Sequence, residues 1–236
     1  MAEDSVNDKL GHRQRVKQRF LNDDGNNMAD YELLEFLLMQ AIPRRDVKPI
    51  AKELLRRFGS FSEVVYASPQ ELMKTKWVKD NVCVLFKLIA AAVKRICLQN
   101  LKDNSAPLLL NTEAVIEYCR ATMAYAEVEE LHVMFLDNSM QLLSVQLLQK
   151  GSLTGVAVSP REIIKTALEQ KASNIIMVHN HPSDNIRPSE NDIYVTGQVE
   201  KACDLMGIKL QDHIIIGKSD FFSFLKHKML NCLTRA

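Results

Sequence analysis

Two histidines, His179 and His181, stand one residue apart at the end of a short apolar run in the segment MVHNHPSDNIRPSEND, residues 177–192. The run at residues 174–178 is uninterrupted and rich in β-branched side chains, which predicts a strand buried on both faces. Residues i and i+2 of a strand point to the same side, and Pro182 favours an extended conformation at the residue before it. We therefore expect the two imidazoles to project together from the strand end.

Asp192 can complete a metal site with this histidine pair. It follows His181 by eleven residues and falls in the first turn of a predicted helix, so a short loop can bring its carboxylate back to the imidazoles. Two neutral imidazoles and a carboxylate, with one position left for water, form an open Zn²⁺ site that activates water near neutral pH. Neither the HExxH pattern nor the HxE and PCxxC pattern of nucleobase deaminases occurs in the sequence. The spacing therefore predicts a three-ligand zinc site.

A purely structural role is the competing interpretation of these residues. A lone histidine on an apolar strand is usually a satisfied structural residue, and we interpret His132 and His213 in this way. Residues 189–192 can likewise be a helix N-cap with an acidic residue in the first turn. For His179 and His181, this interpretation requires two imidazoles on one side of a strand with no shared purpose. The metal site is therefore the favoured hypothesis.

Composition limits the classes of protein to consider. The chain has 236 residues with 47% hydrophobic content, enough for one large or two modest cores. No apolar stretch approaches the roughly 20 residues that a membrane-spanning helix needs, and the charged start has no apolar signal segment. The five cysteines form no CxxC pair, which argues against a disulfide framework or a thiolate zinc site. We expect a soluble, globular, cytoplasmic protein with reduced thiols and no membrane contact.

Charge is distributed unevenly along the chain. The net charge is +1, with +4 in residues 1–105 and −3 in residues 106–236. This asymmetry permits a nucleic-acid contact in the first part but does not require one. The first part also contains a basic run, Lys9, Arg13, Arg15, Lys17 and Arg19. This run can contact phosphates, or it can be a solvated helix face.

The periodicity of apolar residues predicts two domains. Helical spacing dominates the first hundred residues, with predicted helices at residues 31–38, 47–58 and 81–98. The polar stretch at residues 102–107 ends in proline and gives the boundary between an all-helical domain, residues 1–105, and a second domain, residues 106–236.

Strands and helices alternate in the second domain. The predicted strands are residues 131–136, 142–148, 174–178 and 208–216, and the predicted helices are residues 112–122, 159–170 and 189–206. This alternation predicts a mixed α/β domain. The fold class expected for the whole chain is therefore α/β (α+β), with the helical domain first.

The pattern HNHP…S…D at residues 179–192 matches the JAMM metalloprotease signature. More narrowly, SPREIIKTAL, LQDHIIIG and DYELLEFLLMQAIPRRDVKPIAKELLRRFGS resemble the bacterial RadC family over nearly the whole chain. The resemblance implies a mixed-sheet MPN/JAMM domain, cytidine-deaminase-like in fold, after a helix-hairpin-helix-like domain. It also implies that Zn²⁺ is bound by His179, His181 and Asp192, and that Ser189 helps to stabilise a tetrahedral oxyanion.

The JAMM class also uses a glutamate from an earlier strand as the general base. The segment VEELHVMFLD offers two neighbours, Glu129 and Glu130, at the start of a predicted strand. The RadC pattern, counted back from the Leu-Asp at the strand end, favours Glu129. Alternation along the strand does not decide between them because both of its faces are apolar, and a solvated acidic pair is the structural alternative.

Two positions depart from the family pattern. RadC proteins usually carry glycine after His-Pro-Ser, where this chain has Asp184, and the hairpin KTKWVKDNV lacks the glycine that would approach a phosphate. The resemblance implies a zinc-dependent hydrolase of peptide or isopeptide bonds that uses a metal-activated water. The alternative is a DNA-repair-associated, nucleic-acid-binding module with a structural or inactive metal site. A weak DNA contact through the N-terminal domain is compatible with either function.

Overall fold

A computed structural model of the chain describes residues 2–103, 112–151 and 159–230, with side chains described from residue 11 onward in these ranges. The chain divides into two compact units, Met1–Ala92 and Val93–Ala236. The boundary predicted after residue 105 lies outside the described residues. Among the helices in the described ranges, none has the length and apolar character needed to cross a membrane.

The first unit is helical, as predicted. Its helices in chain order are α1 (Ala2–Asp23), α2 (Asp30–Ala41), α3 (Lys48–Phe58), α4 (Phe61–Tyr66), α5 (Pro69–Met73) and α6 (Asp80–Asp103), which continues into the second unit. Gly59 ends α3 with a φ of 95°, a conformation that favours glycine. Ser60 then begins α4, because its hydroxyl accepts a hydrogen bond from the backbone N–H of Glu63 at 3.1 Å.

Two arginines of the basic run near the N-terminus contact the first unit itself. The guanidinium of Arg13 donates to the carbonyls of Met39, at 2.8 Å, and Ile42, at 2.7 Å, at the end of α2. Arg19 forms a two-point ion pair with Glu32, at 2.7 and 3.0 Å. Arg13 therefore caps carbonyls that the helix end leaves unpaired, and Arg19 joins α1 to α2.

The second unit is built around a mixed sheet. Its elements are α7 (Thr112–Met123), β1 (Glu130–Leu136), β2 (Leu142–Lys150), α8 (Pro160–Glu169), β3 (Asn174–Asn180), α9 (Glu190–Leu205), β4 (Lys209–Ile216) and β5 (Phe221–Ser223). In the described ranges the strand order is β2-β1-β3-β4-β5. β3 pairs antiparallel with β1 and parallel with β4, and α9 makes the crossover between β3 and β4. The mixed α/β fold predicted for this part of the chain is confirmed.

Apolar side chains alternate between the two faces of the sheet. On one face, Val133 and Met177 belong to a core that includes Ile163 of α8. On the other, Met134 and Ile176 belong to a core that includes residues of α7. β3 is buried along its whole length, as predicted, and is two residues longer than the predicted strand. The added residues bring His179 inside the sheet.

Candidate metal centre

The end of β3 presents two imidazoles to the same side. His179 is directly opposite Leu131 of β1 in the sheet and is fully buried. The backbone N–H of His181 donates to the carbonyl of Ile216 at 3.1 Å, which extends the pairing with β4 by one residue. The two Nε2 atoms lie 2.9 Å apart. Strand geometry therefore brings the histidines together.

The carboxylate of Asp192 reaches the imidazoles from the first turn of α9. Oδ1 lies 3.3 Å from Nε2 of His179, and Oδ2 lies 3.5 Å from Nε2 of His181. Ser189 is the N-cap of α9, and its hydroxyl accepts from the backbone N–H of Asp192 at 3.1 Å. The backbone N–H and the hydroxyl of Ser189 both donate to Asp192 Oδ2 at 2.7 Å. This reciprocal capping box orients the carboxylate of Asp192. The same residues can therefore cap the helix and supply a metal ligand.

These three side chains form a cluster that can hold a metal ion. One candidate ligand atom from each of His179, His181 and Asp192 lies within 4.8 Å of the other two. Two imidazole nitrogens and a carboxylate oxygen suit Zn²⁺, and three protein ligands are typical of catalytic sites that keep a position for water or substrate. The residues present therefore fit the metal that the sequence predicted.

Burial and mutual contacts set the charges of the cluster. Burial lowers the pKa of His179 to about 4. The Asp192 carboxylate raises the pKa of His181 against the effect of burial. Burial alone would raise the pKa of Asp192, but His181, His179 and Ser189 together hold it well below its usual range. At neutral pH, His179 is therefore neutral and Asp192 is ionised, which are the forms that bind a metal.

A third histidine, His213 of β4, lies against this cluster. Its Nε2 is 2.8 Å from Nδ1 of His179, and its Nδ1 is 2.6 Å from the hydroxyl of Thr196 in α9. Burial lowers the pKa of His213 well below its usual range. From the sequence, His213 was predicted to have only a structural role. The segment LQDHIIIG was the available signal, but the contact depends on the parallel pairing of β3 with β4.

Glu129 and Glu130 have different surroundings. An open pocket of about 360 Å³ beside the cluster is lined by Glu129, His181 and Asp192, among others. The side chain of Glu130 is instead buried, and its carboxylate accepts a hydrogen bond from Lys150 at 2.7 Å. Leu131 is paired with His179, and the same register extended by two residues beyond the strands would set Glu129 opposite His181. Opposite residues of an antiparallel pair share a face, so this register agrees with the pocket that Glu129 and His181 both line.

The loop after β3 explains how Asp184 replaces the glycine of the family pattern. Asp184 has a φ of 61°, in the left-handed region that favours glycine. Its Oδ1 accepts a hydrogen bond from the backbone N–H of Lys218 at 2.6 Å. A Cβ at Gly217 would approach this same Oδ1 to 2.5 Å, so the neighbouring glycine makes room for it. The loop also brings the carbonyl of Asn185 within 2.6 Å of His181 Nδ1.

The second unit is a mixed α/β domain, and a His-His-Asp cluster lies at the end of its central strand. These two features define the class of protein: a domain that can bind a metal ion. Residues 109–229 match the family described as the RadC-like JAB domain. The chain therefore belongs to the RadC family. A JAB-type domain with this cluster is consistent with a metal-dependent hydrolase.

Bacterial relatives match nearly the whole chain. A UPF0758 protein of Ruegeria pomeroyi is 39% identical over 213 residues, which cover 90% of this chain and 94% of the relative. A UPF0758 protein of Rhodobacter capsulatus is 39% identical over 215 residues, 91% of this chain and 100% of the relative. A UPF0758 protein of Fusobacterium nucleatum is 37% identical over 231 residues, 96% and 100% of the two chains. The likeness therefore includes the helical first unit.

Proposed function

We propose that the protein is a zinc-dependent hydrolase of peptide or isopeptide bonds. The observation that carries this proposal is the convergence of candidate ligand atoms from His179, His181 and Asp192 beside an open pocket. Zn²⁺ held by these residues would acidify a water molecule and polarise the scissile carbonyl. The carboxylate of Asp192 would offset part of the metal charge, and the neutral His179 would present a lone pair to it.

Glu129 is the proposed general base. It lines the pocket that His181 and Asp192 share, and its charge acts on His181. In this position its carboxylate can take a proton from the attacking water and later pass that proton to the leaving amine. Glu130 is a poor candidate because Lys150 and His132 already hold its carboxylate on the opposite face.

Ser189 is proposed to assist the same reaction. Its hydroxyl lies at the pocket and has a single proton, which is donated to Asp192 Oδ2. To stabilise an oxyanion, the hydroxyl must rotate from Oδ2 towards the oxygen of the substrate. The bond from the backbone N–H of Ser189 would keep the carboxylate in place during this rotation.

The proposed substrate is a peptide or isopeptide, and the proposed compartment is the cytoplasm, in keeping with the free cysteines in the described ranges.

A weak DNA contact of the first unit is a separate proposal. Because Arg13 and Arg19 make contacts within the unit, this contact would rely on other basic side chains, such as Lys17. Titration of the full chain with DNA at low salt tests it, and no binding there would exclude it.

The experiment that tests the proposed function compares two matched variants. Zinc-loaded wild type, Glu129→Gln and Glu130→Gln are incubated with peptides and with isopeptide-linked peptides, and cleavage is followed by mass spectrometry. We expect Glu129→Gln to retain zinc and to lose roughly 10²–10⁴-fold in rate, because a neutral amide cannot accept the proton. Glu130→Gln should cleave at close to the wild-type rate. A Glu129→Gln variant as active as the wild type would refute the assignment of the base.

A further inference from the structure

The ring of His179 is held at both nitrogens. Its Nε2 faces the cluster, 2.9 Å from His181 Nε2 and 3.3 Å from Asp192 Oδ1. Its Nδ1 faces away from the cluster, towards His213 Nε2 at 2.8 Å. A neutral imidazole carries one proton, so His179 can offer a lone pair at Nε2 only when that proton is on Nδ1. The partner at Nδ1 therefore decides whether His179 is a ligand.

The hydrogen bonds beyond His213 have a fixed direction. The hydroxyl of Thr196 lies 2.5 Å from the carbonyl oxygen of Asp192 and 2.6 Å from His213 Nδ1. A carbonyl oxygen can only accept, so Thr196 donates its single proton there, and its oxygen must accept from Nδ1–H of His213. Neutral His213 then has a bare Nε2, which must accept from Nδ1–H of the next ring.

We propose that Thr196 and His213 are positioning residues that hold His179 in the tautomer protonated on Nδ1, with the Nε2 lone pair directed at the metal position. The proposal rests on the metal site proposed above and names residues that act on it. This series of hydrogen bonds ends at the backbone carbonyl of Asp192. The residue that supplies the carboxylate ligand therefore also anchors the orientation of His179. Partners of this kind orient metal ligands and tune their affinity.

The surroundings of Thr196 and His213 preserve the donor-to-acceptor direction of these hydrogen bonds. Thr196 and His213 are each 2% exposed, and the ring of His213 stacks on Phe224 at 4.8 Å with 17° between the planes. Burial keeps water from replacing a missing partner, so each proton must stay on the atom that has an acceptor. Without the hydroxyl, the Nδ1–H of His213 would have no acceptor. Its proton would then favour Nε2, and His179 would be driven to carry its own proton on the ligand atom.

Two substitutions of one residue separate the hydroxyl from the shape of the side chain. Thr196→Val keeps the branched shape and removes the hydroxyl, whereas Thr196→Ser keeps the hydroxyl. The control is Thr166→Val in α8, because the Thr166 hydroxyl also donates to the carbonyl four residues earlier, that of Glu162, at 2.9 Å. Thermal unfolding of the metal-free proteins identifies the folded variants.

The first readout is the protonation of the ring nitrogens, measured by NMR on metal-free protein with ¹⁵N-labelled histidine. In the wild type and in Thr196→Ser, His179 and His213 should each carry the proton on Nδ1, and in Thr196→Val this pattern should be lost. The second readout is Zn²⁺ affinity, measured by competition with a chromogenic chelator. Thr196→Val should bind on the order of 10–100-fold more weakly than the wild type, and Thr196→Ser and Thr166→Val should stay close to it.

A proton on Nε2 of His213 in the wild type would overturn the proposal, and this measurement needs no variant to fold. Equal zinc affinity and an unchanged proton pattern in Thr196→Val would also overturn it. Failure of the wild type to bind zinc would contradict the proposed function instead. The positions of the protons on His179 and His213 in the metal-free protein would still show the direction of the hydrogen bonds. The two proposals therefore fail in distinguishable ways.

Discussion

At the scale of single residues, two adjacent glutamates have different surroundings. Glu129 lines the pocket beside His181, whereas Glu130 is buried against His132 and Lys150. Both residues could be named from the sequence, but alternation along the strand did not distinguish them, because both faces of the strand are apolar. Their surroundings depend on the register of β1 with β3, a contact between residues nearly fifty positions apart.

The first prediction concerns the pH dependence that Glu130 gives to stability. Burial alone would raise the pKa of Glu130, but Lys150 and His132 together lower it below its ordinary value of 4.5. A carboxyl group with a lowered pKa in the folded state stabilises the fold above its unfolded pKa, and this contribution is lost as pH falls through the folded pKa. The free-energy advantage of the wild type over Glu130→Gln should therefore be largest near neutral pH and shrink below about pH 4.5.

Urea unfolding of the two proteins at neutral and acid pH measures this difference. At neutral pH we expect Glu130→Gln to cost on the order of 1–3 kcal/mol, because it removes a charged acceptor from a buried site. A difference that is the same at both pH values would show that the Glu130 charge does not stabilise the fold.

At the scale of elements, the site is a junction between the end of β3 and the start of α9. Both elements could be predicted from the sequence, β3 from its β-branched run and α9 from Ser189 at its N-cap. The position of β4 beside them could not, because it depends on the parallel pairing of β3 with β4. His213 was missed for this reason, since its contact with His179 follows from strand pairing rather than from spacing.

The loop gives the second prediction, at Asp184. With a φ of 61°, Asp184 has a backbone conformation that suits glycine, and its side chain compensates by accepting from Lys218 N–H. Asp184→Ala should be the least stable of the three proteins, because alanine keeps the left-handed φ and loses the acceptor. It should be roughly 1–2 kcal/mol less stable than Asp184→Gly, which does not bear the strain of that φ. Asp184→Gly loses the acceptor but relieves the strain, so it should unfold close to the wild-type temperature.

Differential scanning calorimetry of the metal-free proteins measures the order of stability. An Asp184→Ala variant as stable as Asp184→Gly would contradict the account of this loop.

At the scale of the whole molecule, the sequence was sufficient for the change from a helical unit to an α/β unit and for the order of α7 to α9 and β1 to β4 within the second. Periodicity carries this information locally, as in the buried run of β3. β5 was not predicted, because its three residues are too short for a pattern and depend on pairing with β4. The assembly of His179, His181 and Asp192 was predictable because a strand end and a nearby helix start constrain one another through a short loop.

The central claim is that these three residues hold zinc, and metal content measured by mass spectrometry of purified protein tests it most directly. The wild type should carry about one Zn²⁺ per chain, and His179→Ala, His181→Ala and Asp192→Ala should each lose most of it, because two remaining ligands are too few. The control His227→Ala, in which the lost ring stacks on Phe222, should retain the ion. Equal zinc in the wild type and in all three ligand variants would contradict the account.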